Sequence, residues 1–163
     1  MEHVLLSVHV LAAIVFVGGS AVASSLFPRY APVAGPVASA ATGPATPPTT
    51  ERNTERNAAV AAVLHRITGG YAVFGLVVPL AGIVLAGVQG RMGQTWIVVA
   101  MILTAVAGAL LATQIHPRQR QALDAPDDGR RLRTLAMLAG VYNLLWAVVV
   151  VLMIVRPGEQ TGA

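Results

Sequence analysis

The feature that most constrains this chain is a long apolar run from Val4 to Phe27, VLLSVHVLAAIVFVGGSAVASSLF. The run has no formal charge, and its ionisable side chain is His9. The hydrocarbon core of a bilayer is about 30 Å thick, and an α-helix crosses it in about 20 residues. The run therefore predicts a membrane-spanning helix.

Three further apolar runs predict three more spans, at residues 67–88, 95–115 and 134–155. Charged residues make up 11% of the chain, whereas soluble proteins contain about 25%. The first span, 4–27, is longer than the h-region of a signal peptide, about 7–15 residues, so we expect a retained anchor. The sequence therefore predicts an all-α fold, a transmembrane four-helix bundle, as one integral membrane domain across residues 1–163.

The connections between the spans differ in composition. Residues 30–50 consist mainly of Ala, Pro, Gly, Ser and Thr, and this composition predicts a flexible linker. Helix two is predicted to begin near Asn57, and helix three is predicted to end at residues 116–118. The charged connection 118–133 is long enough for a short surface helix.

All eleven basic residues are arginines, and they are distributed unevenly between the two ends of the predicted spans. Cytoplasmic loops carry the excess of positive charge, so the asymmetry predicts that both termini lie outside the cytoplasm. Because topology explains the arginines, we expect the lipid bilayer and no nucleic acid as a partner. The cytoplasmic group is Arg29, Arg52, Arg56, Arg66, Arg118, Arg120, Arg130, Arg131 and Arg133, and the opposite group is Arg91 and Arg156.

Residue types that the sequence lacks exclude several kinds of chemistry. With no cysteine, the chain has no thiolate metal site, iron–sulfur cluster or cysteine nucleophile. No Asp or Glu falls within any predicted span, which argues against a carboxylate-driven proton pump. A histidine-based proton relay remains open.

Small residues recur at helical spacing and predict close packing between helices. Such stripes let two backbones approach closely in a membrane, although Ala-rich helices also produce them by chance. The third span has the longest stripe, formed by Ala100, Thr104, Gly108 and Ala112. Shorter stripes are Gly19 with Ala23 in the first span, and Ala136 with Gly140, and Ala139 with Asn143 and Ala147, in the fourth.

The candidate functional residue is His9, because an ionisable group inside an apolar span is costly and usually marks a site. A ring nitrogen there can bind haem iron or copper, or relay a proton. Met153, predicted at the same depth in the fourth span, is the candidate second ligand, since His/Met pairs bind haem iron. The alternative is a neutral imidazole hydrogen-bonded to a backbone carbonyl, to Tyr142 or to Asn143.

Two further histidines, His65 and His116, are predicted to lie at one depth near the cytoplasmic face. A shared metal, or a haem with propionates on Arg66 and Arg118, is one interpretation. The other is an ordinary histidine–arginine end to a membrane helix. His9 and His65 are expected to lie roughly 20 Å apart along the membrane normal, which is too far to share one metal ion.

Four short segments resemble a bacterial family of four-helix integral membrane proteins of unknown function: HVLAAIVFVGG, HPRQR, DDGRRLRTLAMLAGVYNLL and LMIVRP. That family looks related to the copper-resistance membrane domain CopD and to HemJ-type haem-synthesis proteins. Their first helix carries a histidine followed by an aromatic and small residues, matched here by His9, Phe16, Gly18 and Gly19. HemJ-like proteins pair that histidine with a lysine in the second helix, and this chain contains no lysine.

Three functions are consistent with the sequence. The first is an accessory membrane protein that binds haem b or copper through His9 and Met153. The second, suggested by the resemblance, is a HemJ-like membrane oxidoreductase. The third is a structural subunit that packs, through its small-residue stripes, against a second copy or a larger membrane complex.

Overall fold

The structure, a computed structural model, describes residues 2–34, 48–88, 95–155 and 157. Within these ranges, side chains are described at residues 11, 13–34, 54–74, 95–155 and 157. Every regular element in the described part of the chain is helical. The elements are α1 (Glu2–Tyr30), α2 (Pro48–Val88), α3 (Thr95–Leu110), a π-helical segment (Leu111–Ile115), α4 (His116–Asp124) and α5 (Arg130–Val155).

The chain builds four helices that pack together, because α3, the π segment and α4 form one continuous helix, Thr95–Asp124. This helix and α5 are joined by the turn 125–129 and run antiparallel. Contacts between α1 and α5, and between α2 and α4, show that these pairs are also antiparallel. The predicted all-α four-helix architecture is confirmed. Among the described residues, two helices, Thr95–Asp124 and α5, are long and apolar enough to cross a membrane.

The third helix does not end at residues 116–118, and that prediction was wrong. The His116 N–H donates to the carbonyl of Leu111, five residues earlier, which closes a π turn. An α-helix restarts at His116, so Pro117 lies in the first turn of α4. Proline is tolerated in a first turn because its missing N–H has no partner there to lose. The helix therefore continues two turns further, to Asp124.

The predicted linker, residues 30–50, differs from expectation at both ends. Tyr30 still belongs to α1, and Pro48 already begins α2, well before the start predicted near Asn57. The first turns of α2 are polar, so hydropathy alone does not register them. Residues 35–47 lie outside the described part of the chain.

The turn between α4 and α5 is organised by Asp127. Its carboxylate accepts hydrogen bonds from the N–H groups of Gly129 at 3.0 Å and Arg131 at 3.2 Å, which caps the start of α5. Gly129 has φ +86°, a left-handed conformation that favours glycine. The Ala34 N–H donates to the Asp127 carbonyl at 2.9 Å, so the chain that leaves α1 is docked on this turn.

The core mixes large apolar side chains with hydroxyl groups. The largest fully buried apolar and aromatic side chains are Phe27, Leu111, Ile115, Leu135, Tyr142 and Val149. Buried hydroxyls donate to carbonyls of their own helices, so they are satisfied without help from a neighbouring helix. These hydroxyls are Ser20, Ser24, Thr68 and Thr104.

The predicted small-residue stripe of the third span faces the bundle interior. Ala100, Thr104 and Gly108 are buried, and Ala112 is half-buried. In α5, Ala139 is buried and Asn143 is half-buried, whereas Ala136, Gly140 and Ala147 are exposed.

Candidate functional site

The relative position of α1 and α5 is set by two contacts. The rings of Phe16 and Trp146 meet edge to face with centroids 5.7 Å apart. One turn along, the Tyr142 hydroxyl donates to the Ser20 hydroxyl oxygen at 2.8 Å, in a buried position. Residue numbers rise in α1 as they fall in α5, so the two helices are antiparallel and their register is known.

This register bears on the predicted pair of ligands. His9 lies seven residues before Phe16, and Met153 lies seven residues after Trp146. Since each residue advances a helix by about 1.5 Å, both positions lie about 10 Å beyond the aromatic contact, at the same end of the bundle. The side chain of His9 lies outside the described ones. The Met153 side chain is 40% exposed near the end of α5.

Tyr142 and Asn143, considered above as partners for His9, bind other residues. Tyr142 bonds to Ser20, and the Asn143 amide nitrogen donates to the Ser25 hydroxyl at 3.0 Å. Ser20 lies eleven residues from His9 in α1, which is about 16 Å along the axis. Both residues of α5 therefore lie well away from the level of residue 9 in α1. Asn143 does link two helices, as expected of an asparagine within an apolar span.

The two histidines whose side chains are described come together between α2 and α4. The imidazole rings of His65 and His116 stack with centroids 4.3 Å apart and planes 9° from parallel. The predicted common depth is confirmed. We call His65, His116 and Gln119 the histidine cluster, because the Gln119 amide oxygen lies 3.4 Å from His65 Nδ1.

A glycine and the π segment build this cluster. Gly69 faces His116, and a Cβ at that position would lie 2.8 Å from His116 Nε2, too close for any real Cβ contact. Glycine therefore leaves the space that the imidazole occupies. The π turn at Leu111–Ile115 ends directly at His116 and sets the face of α4 from which the ring projects.

Gln119 is the hydrogen-bonding neighbour of His65. Its side-chain oxygen accepts a hydrogen bond from the tautomer of His65 that carries a proton on Nδ1. Gln119 is fully buried, and its amide nitrogen has no hydrogen-bond partner among the described residues. A buried amide group without a hydrogen-bond partner costs about 1–3 kcal/mol.

The surroundings of His116 disfavour a positive charge on its ring. His116 lies just beyond the apolar stretch 95–115, and burial lowers its pKa below the ordinary value of 6.5. The adjacent His65 and the Arg120 guanidinium lower that pKa further. Arg120 itself pairs with Asp124 at 3.6 Å in an exposed position. His116 is therefore neutral at neutral pH.

The stacked geometry does not suit a metal shared by His65 and His116. An imidazole binds a metal through a lone pair that lies in the plane of its ring. Two stacked, nearly parallel planes do not meet at any nearby point, so one ion cannot satisfy both rings in this arrangement. Across the described residues, no group of three or more His, Cys, Asp or Glu could hold a metal ion.

His9 stands far from the histidine cluster, as expected. The Tyr71 hydroxyl donates to the Val15 carbonyl at 3.2 Å, so these residues of α2 and α1 lie at one level. His65 and His9 are each six residues from this level, in opposite directions along antiparallel helices. Their separation along the bundle is therefore about 18 Å.

Sequence reasoning missed Gln119 and Gly69 as parts of the cluster. The spacing of these residues could have indicated the cluster. His65 and Gly69 are four residues apart, and His116 and Gln119 are three residues apart. Each pair shares a helix face at those spacings. The sequence did not predict that the helix continues through Pro117, and without that continuation Gln119 is not placed beside His65.

No protein-family model matches this chain, and neither a curated protein nor a solved structure is detectably similar to it. The resemblance to the CopD and HemJ membrane proteins therefore stays an expectation from short sequence segments.

Proposed function

We propose that this chain is an integral protein of the bacterial plasma membrane that binds haem b or copper through His9 and Met153. The observation that carries the proposal is the antiparallel register of α1 and α5, in which Phe16 meets Trp146 and Ser20 meets Tyr142. Continued by two turns, this register brings residues 9 and 153 to one level of the bundle.

The membrane part of the proposal is supported by the outer surface of the bundle. Large aliphatic side chains are exposed on several helices, for example Ile14 at 63%, Leu144 at 67% and Ile154 at 75%. Soluble monomers rarely expose contiguous apolar patches of more than a few hundred Å². Lipid tails cover such a surface without cost, and the two long apolar helices have the length to cross a bilayer.

The cofactor part rests on the chemistry of the two side chains. An imidazole nitrogen and a thioether sulfur are ligands of haem iron, and soft thioether sulfur also suits Cu(I). A methionine ligand raises the reduction potential of haem iron, so the bound group would serve electron transfer or metal handling. His65 and His116 are not the expected ligands, because their rings face each other.

The test is reconstitution of the purified protein with haemin or Cu(I), followed by absorption spectra and metal analysis. We expect His9→Ala to abolish retention and Met153→Leu to weaken it and to lower the reduction potential. The controls are His65→Ala and His116→Ala, which should retain the cofactor. Equal retention by wild type and His9→Ala would overturn the proposal. A wild-type protein that is folded, colourless and free of copper would instead favour a structural subunit.

A further inference from the structure

One exposed face of α5 is basic at its start and apolar along the rest of its length. Arg130 and Arg133 are both exposed, three residues apart. At about 3.6 residues per turn, they lie within about 80° of the exposed apolar side chains that follow them. We call this set the outer face of α5, and its apolar members are Met137, Val141, Leu144 and Val148.

The two arginines of the outer face have no ion-pair partner among the described residues. Arg131, by contrast, pairs with Asp127 at 3.8 Å and donates to two carbonyls of α4. The Asp128 carboxylate accepts a hydrogen bond from the backbone N–H of Arg130 at 3.3 Å and forms no ion pair with its guanidinium. In the described part of the chain, the positive charges of Arg130 and Arg133 are therefore available to a ligand.

We propose that the outer face of α5 binds an anionic phospholipid, with the headgroup at Arg130 and Arg133 and an acyl tail along the apolar side chains. The inference rests on the membrane part of the proposed function and not on the cofactor. Arg133 directly precedes the predicted span 134–155, at the level of the cytoplasmic headgroups. Leu144 lies about 16 Å further along the helix, close to half of the bilayer core of about 30 Å. This length matches the tail of a lipid in one leaflet.

Charge complementarity favours an anionic headgroup at this position. A guanidinium stays charged at any physiological pH and binds phosphate oxygens through paired N–H donors. Helix residues three apart are neighbours on the surface, so Arg130 and Arg133 can reach one phosphate group. Each basic residue near an anionic membrane surface strengthens binding about fivefold. A zwitterionic headgroup also has a phosphate, but it brings a cation that the two arginines repel.

The test is lipid binding to the purified full-length protein in neutral detergent, measured by native mass spectrometry. The probes are phosphatidylglycerol and phosphatidylcholine with the same acyl chains. We expect phosphatidylglycerol to bind about twentyfold more tightly, and Arg130→Gln with Arg133→Gln to reduce that preference to about twofold. Lysine at both positions keeps the charge and should retain most of the preference. The matched control is Arg56→Gln with Arg66→Gln, which removes the same charge from α2, diagonally across the bundle, and should change the preference little.

Circular dichroism and thermal unfolding without lipid distinguish loss of the site from loss of the fold. Equal affinity of the wild type for the two lipids, or an equal loss of preference in the two glutamine variants, would overturn the proposal. Displacement of phosphatidylglycerol by millimolar inorganic phosphate would indicate a site for free anions and would also overturn it. A protein that stays in solution without detergent would overturn the membrane part of the proposed function as well. A protein that needs detergent but shows no lipid preference would overturn this inference alone.

Discussion

The imidazole rings of His65 and His116 stack at 4.3 Å between α2 and α4, in a space that Gly69 leaves open. Burial lowers the pKa of His116, and the adjacent His65 lowers it further, so the folded chain resists a proton on the His116 ring.

The lowered pKa of His116 makes stability depend on pH. As the pH falls below about 6.5, the unfolded chain takes up a proton at His116 that the folded chain resists, so the free energy of unfolding decreases. As the pH rises again, that stability returns. We expect the thermal midpoint in detergent to fall between about pH 7.5 and 5. In His116→Phe, which keeps a flat ring but cannot be protonated, the fall should be smaller. Parallel curves for the two proteins would contradict this prediction.

Gly19 and Gly18 form a matched pair for testing the α1–α2 contact. A Cβ at Gly19 would overlap the Tyr71 hydroxyl, whereas nothing lies near a Cβ at Gly18. Gly19→Ala should therefore destabilise the bundle by about 1–3 kcal/mol, because Tyr71 must give up its bond to Val15. Gly18→Ala should be neutral or stabilising by up to about 1 kcal/mol, since alanine is the better helix former. Thermal unfolding in detergent measures both.

The double variant Gly19→Ala with Tyr71→Ala serves as the control. A Cβ at Gly19 would overlap the Cζ and Cε2 ring atoms of Tyr71 as well as its hydroxyl, and alanine lacks all three, so Gly19→Ala should cost less in the Tyr71→Ala background than in the wild type. An equal cost in both backgrounds, or equal effects of alanine at both glycines, would show that the close approach is absent.

Asp127 is predicted to stabilise the turn between α4 and α5. Asp127→Ala removes the acceptor for the Gly129 and Arg131 N–H groups and should cost about 0.5–2 kcal/mol. Asp127→Asn keeps an oxygen acceptor and should cost clearly less. The measurement is the thermal midpoint, together with hydrogen exchange at Ala34, whose N–H bonds to the Asp127 carbonyl. Unchanged thermal midpoints in both variants would show that Asp127 does not cap α5.

The orientation in the membrane can be tested with reporter fusions. A reporter that is active only outside the cytoplasm should give a signal when fused to Ala163 and none when inserted between Pro44 and Thr50. The reason is the concentration of arginines on the connections after the first and third spans. The reverse pattern of signals would show that the arginine asymmetry does not set the topology.

Some of the site could be predicted from the sequence. The common depth of His65 and His116 follows from their positions at the ends of two apolar runs, and so does the distance of both from His9. The stacking of the two rings and the role of Gln119 could not be predicted. They require α4 to continue past Pro117, and proline ordinarily argues against that continuation.

The sequence by itself determined that this chain forms four helices and that its charge lies mostly at one end of them. Both properties are local, because hydropathy and charge are summed along consecutive residues. Only the tertiary structure decided which side chains meet. The π turn holds one extra residue, which rotates everything after Ile115 by about 100° compared with an unbroken α-helix. That rotation brings His116 and Gln119 to α2, and it depends on packing between residues that are far apart in sequence.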